Sequence, residues 1–323
     1  MPPLADADAP ALLRAALHAH ARAPLGPLLE RRRLGAYRGY AEMLGAVERL
    51  VARGARLVQI GRSVRGEPLF AVHLGSTQPG ARTTVTLSAV HPTEWIGVEV
   101  HLAMLERLAG LDLGDRAVIA VPLVNPDGVL RVEAHLRAGR RRFVRHNSHG
   151  VDLNRNFDAH WHDRGLAQRA LSFLFSSGSR PASEPEVEAL AHHLSARRID
   201  RSLSLHSFGG AVLYPSAATV WPIPDAAEHR AWARRLASRA DARPYRAVPC
   251  SWWSWGLTQG GLELDWFHDR HGALSFLVEC SRRNALHPAR LLQPFAWYNP
   301  RRIDRVVAPL VDALVPFARG EAL

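Results

Sequence analysis

The sequence has no lysine, so all 41 of its lysine-plus-arginine positions are arginine. Its two cysteines, Cys250 and Cys280, are too few for a disulfide framework, and a reducing, cytoplasmic setting is the expectation. No apolar run approaches the ~18 residues needed to cross a bilayer, so neither a spanning segment nor a membrane partner is expected. The opening residues MPPLADADAP put acids ahead of the apolar stretch and lack a basic start, unlike a signal peptide. Internal repeats, low-complexity tracts and obvious linkers are also missing. That favours one catalytic-size domain, 37–323, with an N-terminal helical extension at 1–36.

The formal net charge of +11 raises the question of nucleic acid. The arginines, however, are spread along the chain, with one dense patch in RAGRRRFVRHNSHG, Arg137 to Gly150. Helix-turn-helix, zinc-finger and RNA-binding aromatic patterns are absent. The charge therefore reads as a solvated surface, and no nucleic-acid partner is expected. An apolar fraction of 47% is ample for a packed core.

Apolar spacing divides the chain into alternating strands and helices. Residues 37–54 read as an amphipathic helix closed by Gly54, and 56–76 as a hairpin turning at Arg65-Gly66. TTVTLSAV and RAVIAVPLV read as buried strands, and NPDG after the second reads as a turn. In SEPEVEALAHHL, Ser183 and Glu186 have the spacing of a capping box. RSLSLHSF and ALSFLVEC are further strands, and a helix closes the chain. Such alternation predicts an α/β fold around a largely buried sheet.

Chemistry gathers at the strand ends. LSAVHPTEW stops an apolar strand at His91 and places Glu94 three residues on; SLSLH ends at His206, and LSFLVE at Glu279. Ligand sites in open α/β sheets lie beyond the carboxyl ends of strands. Two imidazoles and one carboxylate form a known three-ligand set for catalytic zinc. A lone strand-end histidine is more often structural, and His-x-x-Glu occurs by chance. A glutamate ending an apolar strand is harder to dismiss, because burying an unpaired carboxylate is costly.

From about Tyr37 to about Arg282 the sequence resembles the zinc carboxypeptidase family, the carboxypeptidase A/B type. The shared segments occur in family order: HPTEWIG, VNPDG, VDLNRNFDAHW, SEPEVEAL, LHSFGGAVLYP and LDWFHDRHGALSFLVE. The resemblance implies a mixed, mainly parallel eight-stranded sheet flanked by helices. It implies one zinc ion held by His91, Glu94 and His206, with Glu279 as general base and acid for an attacking water. Arg145, in RRFVRHN, matches the arginine that polarises the scissile carbonyl. Asn154 and Arg155 match the pair that grips a terminal carboxylate, so the implied partner is a peptide with a free C-terminus.

Three departures stand out. Thr93 replaces an arginine common in the family. CSWWSWGLTQGG lacks the expected tyrosine, so either Trp252, Trp253 or Trp255 replaces its cover or the lid differs. Leu264, just before Asp265-Trp266, falls at the floor of the specificity pocket and suggests an apolar terminal residue, while neighbouring Glu263 would favour a basic one. The absence of a leader or pro-segment suggests an intracellular, constitutively formed enzyme. Alternatives on the same fold are a murein-peptide (γ-D-glutamyl-diaminopimelate) hydrolase, an N-acyl amino acid amidohydrolase, or an inactive peptide-binding relative.

Overall fold

The computed structural model describes residues 8–21, 34–282 and 293–322. Eight strands form one mixed sheet: β1 Arg56–Arg62, β2 Pro68–Gly75, β3 Thr83–Ser88, β4 Ala117–Val121, β5 Ile199–His206, β6 Ala211–Tyr214, β7 Arg246–Pro249 and β8 Leu274–Glu279. Their order across the sheet is β1-β2-β4-β3-β5-β8-β6-β7. The centre, β4-β3-β5-β8, is parallel, while β1, β2 and β6 pair antiparallel with at least one neighbour. The expected hairpin at 56–76 is the β1-β2 pair.

Period-2 alternation divides β4 between two cores. Val118 and Ala120 of β4 join one apolar cluster, and Ile119 and Val121 join the other. Helices Trp95–Leu108, Ala226–Arg239 and Asp304–Ala318 cover the first face. Helices Pro185–Leu194 and Glu263–His271 cover the second. Helix Ala9–His20, within the stretch read as an extension, buries Ala9, Leu13 and Ala16 in the first core. Fully burying a leucine of this kind contributes roughly 1.5–3 kcal/mol. No helix among the described residues is long and apolar enough to cross a membrane.

Two local readings differ from the structure. NPDG opens a helix, Pro126–Arg137, rather than making a free turn. Asn125 is its N-cap and accepts the Gly128 N–H at 3.0 Å, while Pro126 takes the first helical position, where no backbone donor is needed. The Ser183–Glu186 capping box does not form. Helix Pro185–Leu194 begins one residue later, with Glu184 at its N-cap, and Ser183 Oγ donates instead to Glu184. Proline sets that boundary more firmly than serine spacing does.

The parallel centre brings the strand ends together. β5 lies between β3 and β8, and His206 pairs directly with Glu279 across β5 and β8. β3 leads into the loop carrying His91 and Glu94, and helix Trp95–Leu108 follows. Gly97 lets that helix press onto β5, since a Cβ there would meet the Leu205 carbonyl oxygen at 2.5 Å.

Asn125→Ala should lower unfolding stability by about 1 kcal/mol in urea titration, the usual cost of losing an N-cap. An unchanged midpoint would show that Pro126 alone sets the helix start.

Candidate active site

His91, Glu94 and His206 converge in a buried cluster whose potential ligand atoms all lie within 4.8 Å of one another. His91 Nδ1 and Glu94 Oε1 are 3.0 Å apart, as are His206 Nδ1 and Glu94 Oε2. The two Nδ1 atoms lie 3.1 Å apart. The outer nitrogens are both anchored. His91 Nε2 donates to Asp152 Oδ1 at 3.0 Å, and His206 Nε2 donates to Glu263 Oε1 at 2.8 Å. Each Nε2 is thus committed to a carboxylate, which turns each Nδ1 toward its neighbour and the glutamate, where a proton or a metal ion can sit.

The charges of this cluster hold one another in place. Burial alone would raise the Glu94 pKa, but the charge and hydrogen bonds of the histidines outweigh it and bring it to about 2. Burial would lower the His206 pKa, yet hydrogen bonds to Glu263 and Glu94 lift it to about 10. Asp152 is fully enclosed, which opposes its ionisation, but Arg145, then His91 and Arg155, hold its carboxyl well below the usual range.

The remaining candidates surround a cavity of about 220 Å³. Glu279, Arg145, Asn154 and Arg155 all line it, together with the three clustered side chains. Arg145 binds Asp152 Oδ2 at 2.8 Å. Thr93, instead of facing the cavity, is buried and exchanges hydrogen bonds with the Val144 backbone, fixing the strand of loop that carries Arg145.

Asn154 and Arg155 lie in a short 3-10 turn, Leu153–Arg155, capped by the Asp152 carboxylate. Asn154 Oδ1 accepts the Glu263 N–H at 3.1 Å, which leaves its Nδ2 donors for the cavity. Arg155 donates to Gln259, which is itself held by Ser254 Oγ at 2.7 Å. Arg155 Nε is buried without a hydrogen-bond partner.

Leu264 is a correction. It is 1% exposed in an apolar cluster with Leu213, Cys250, Leu262 and Leu277, and it is not among the residues lining the cavity. Helix Glu263–His271 begins one residue before it. The apolar wall is made instead by Leu213, Leu262, Leu277 and Cys250. Burial, then the charge of Asp265, pushes the Cys250 thiol up, so it stays neutral in that wall. Glu263 is likewise absent from the lining and is turned onto His206 and Ser204.

Four contributors were not singled out from sequence for these positions: Asp152, Glu263 as an anchor of His206, Gln259 and Tyr298. Tyr298 enters the cavity from the C-terminal segment, stacked on Phe143 and edge-on to Phe208. Burial and then the Glu94 charge push its phenol up, which keeps it a hydrogen-bond donor. Of the tryptophans named as cover, Trp253 lines the cavity, while Trp252 and Trp255 are 59% and 87% exposed. Only the cluster Ala-Trp-Tyr-Asn-Pro, 296–300, hinted at Tyr298 in the sequence.

Asp225, His229 and His268 form a second three-residue group. There, His229 Nε2 accepts the Ser275 N–H at 3.3 Å, which puts the ring proton on Nδ1, and Nδ1 meets Asp225 at 3.2 Å. That arrangement is satisfied as a hydrogen-bonded set near the start of β8.

Residues 40–299 match the zinc carboxypeptidase family model. Carboxypeptidase A6 of Mus musculus is 30% identical over 244 residues, covering 69% of this chain and 55% of its own. Carboxypeptidase B2 of Homo sapiens is 28% identical over 180 residues, covering 50% of this chain and 42% of its own. Bovine thrombin-activatable fibrinolysis inhibitor, solved with a tick carboxypeptidase inhibitor, superimposes with a TM-score of 0.72 at 22% identity, over 88% of this chain and 97% of that one. Murein-tripeptide amidase MpaA from Escherichia coli O157 superimposes with a TM-score of 0.54 at 21% identity, over 84% and 97%. The chain belongs to the zinc carboxypeptidase family. It spans about half the length of the curated relatives it matches.

The donor set fits the family's ion. Ligands at zinc lie about 2.0–2.2 Å from the metal in a tetrahedron, which places them roughly 3.3 Å apart. The separations of 3.0 and 3.1 Å within the cluster come close to that edge. Carboxylates on the outer nitrogens orient such ligands and raise their basicity. Glu263→Gln should therefore weaken zinc binding by about 10–100-fold in chelator competition. Unchanged zinc affinity in both Glu263→Gln and Glu263→Ala would show that the His206–Glu263 bond does not support the metal.

Proposed function

We propose that the chain is a zinc-dependent carboxypeptidase that removes one residue from the free C-terminus of a peptide. One observation carries this reading: the His91/Glu94/His206 cluster, Glu279 and the buried Asn154–Arg155 turn open onto the same small cavity. His91, Glu94 and His206 hold one zinc ion. When bound, that ion acts as a Lewis acid and makes water a usable nucleophile near neutral pH.

The protein's own groups supply the rest. Glu279, at the end of β8 beside His206, takes the proton of the attacking water and passes it to the departing amine. Arg145, held on Asp152, meets the negative charge that develops on the carbonyl oxygen. Tyr298 presents a neutral phenol to the same space. Asn154 Nδ2 and the Arg155 guanidinium bind the terminal carboxylate, and a planar fork suits that group better than a point charge would. The apolar wall of Leu213, Leu262 and Leu277 takes an apolar terminal side chain. The murein-peptide reading shares the fold, and the same experiment separates the two.

Zinc, water and Glu279 would cleave any amide presented to them, so the choice of a chain end rests on Arg155 and Asn154. A hydrogen bond to a charged group contributes roughly 1.5–3 kcal/mol, and about 1.4 kcal/mol is tenfold. Amidating the C-terminus of a good peptide substrate should lower kcat/KM by about ten- to hundredfold. Arg155→Ala should impose a similar loss on the free acid and little more on the amide, because both changes remove one interaction. Equal cleavage of free and amidated peptides would refute the carboxypeptidase reading. Turnover of murein tripeptide alone, with no peptide cut, would replace it with the amidase.

A further inference from the structure

A chain trimmed at its end must leave the cavity, and a second hollow adjoins it. Trp253 lines both the catalytic cavity and a groove of about 480 Å³ formed with Arg243, Arg246, Arg282, Trp252 and Trp255. Gly209 lies at the junction: a Cβ there would sit 2.4 Å from the Trp253 ring and 3.4 Å from the Glu279 Cβ. The groove therefore begins beside the proposed base.

Its chemistry is one-sided. Trp252 and Trp255 leave 59% and 87% of their surface in solvent, and this is unusual for so large an apolar side chain. Arg246 lies over the Trp253 ring, 5.3 Å from its centre, which holds the guanidinium in place without neutralising it. Arg282 pairs with Asp241, but none of the described residues lining the groove is acidic. On the other flank, Arg145 is shared with a further cavity that Arg131 and Arg142 also line. The dense arginine patch of the sequence thus reaches the catalytic cavity through Arg145.

Building on the carboxypeptidase reading, we propose that this groove is an extended substrate site for acidic peptides. Residues upstream of the scissile bond lie along the tryptophan faces, and their carboxylates pair with Arg243 and Arg246. The Arg246 guanidinium, stacked on Trp253, is set for bidentate carboxylate binding. The flat indole surfaces pack against an extended backbone whatever its sequence, so selectivity comes from charge.

Two peptides with the same apolar C-terminal residue, preceded by three glutamates or three glutamines, test this. Their binding to zinc-loaded Glu279→Gln protein is followed by tryptophan fluorescence. The glutamate peptide should bind about tenfold tighter or more at low ionic strength, and the preference should shrink as salt rises. Arg243→Ala with Arg246→Ala, both at exposed positions, should bring the ratio near one. Arg140→Ala with Arg142→Ala should leave most of it. Equal binding of the two peptides, or a preference that survives loss of Arg243 and Arg246, overturns the proposal. Wild-type turnover of both peptides is measured alongside. Failure to cut either one counts against the carboxypeptidase reading, while the binding ratio still decides the groove.

Discussion

The site depends on one enclosed carboxylate. Asp152 accepts from His91 Nε2 at 3.0 Å, from Arg145 at 2.8 Å and from the Asn154 N–H at 3.1 Å. A histidine of the candidate metal cluster, a cavity cation and the turn that carries Arg155 therefore take their positions from a single group. Burying a charge without partners would cost several kcal/mol, and here three donors meet it. Asn154 extends the frame. Its backbone binds Asp152, while its side chain accepts from the Glu263 N–H, and Glu263 holds His206. Both histidines are thus tied together from outside the cluster, and neither can rotate without breaking a buried bond.

The sheet does the coarse placing and the carboxylates do the fine placing. β3, β5 and β8 lie side by side, so three strand ends deliver their side chains to one edge with no long loop to order. Helix Trp95–Leu108 adds a second constraint. Asn299 accepts the Ile96 N–H at 2.9 Å and donates to the Thr93 carbonyl at 2.7 Å, which locks the C-terminal segment onto the loop that carries His91 and Glu94. That contact sets Tyr298 at the cavity. The phenol thus arrives from more than 30 residues beyond the stretch CSWWSWGLTQGG where the resemblance placed its tyrosine.

What could be read in the sequence follows from how local each signal is. His91, Glu94, His206 and Glu279 were legible as candidates because an apolar strand ending in a polar side chain is a contrast between neighbours. The hairpin at 56–76 and the alternating core were legible for the same reason. Asp152 and Glu263 were not, because each acts on a histidine 57 or more residues away, and only the fold shows that pairing. Leu264 looked like a pocket floor until the helix start at Glu263 turned it into the core. NPDG carries the same residues as a turn and as a proline-led helix start, and the Asn125 cap with Pro126 opens the helix. Ser183 had the right spacing for a cap but lost to Pro185.

The role of Asp152 is tested most directly by measuring two quantities on Asp152→Asn protein. One is zinc affinity by chelator competition; the other is the ratio of kcat/KM for a free peptide to that for its C-terminal amide. An amide keeps the size but puts donors where Arg145 also donates, so the shared anchor is lost. Zinc affinity should fall about 10–100-fold, and the preference for the free carboxylate should collapse in the same variant. Wild-type zinc affinity together with an intact preference for the free acid would show that Asp152 does not hold the two halves of the site.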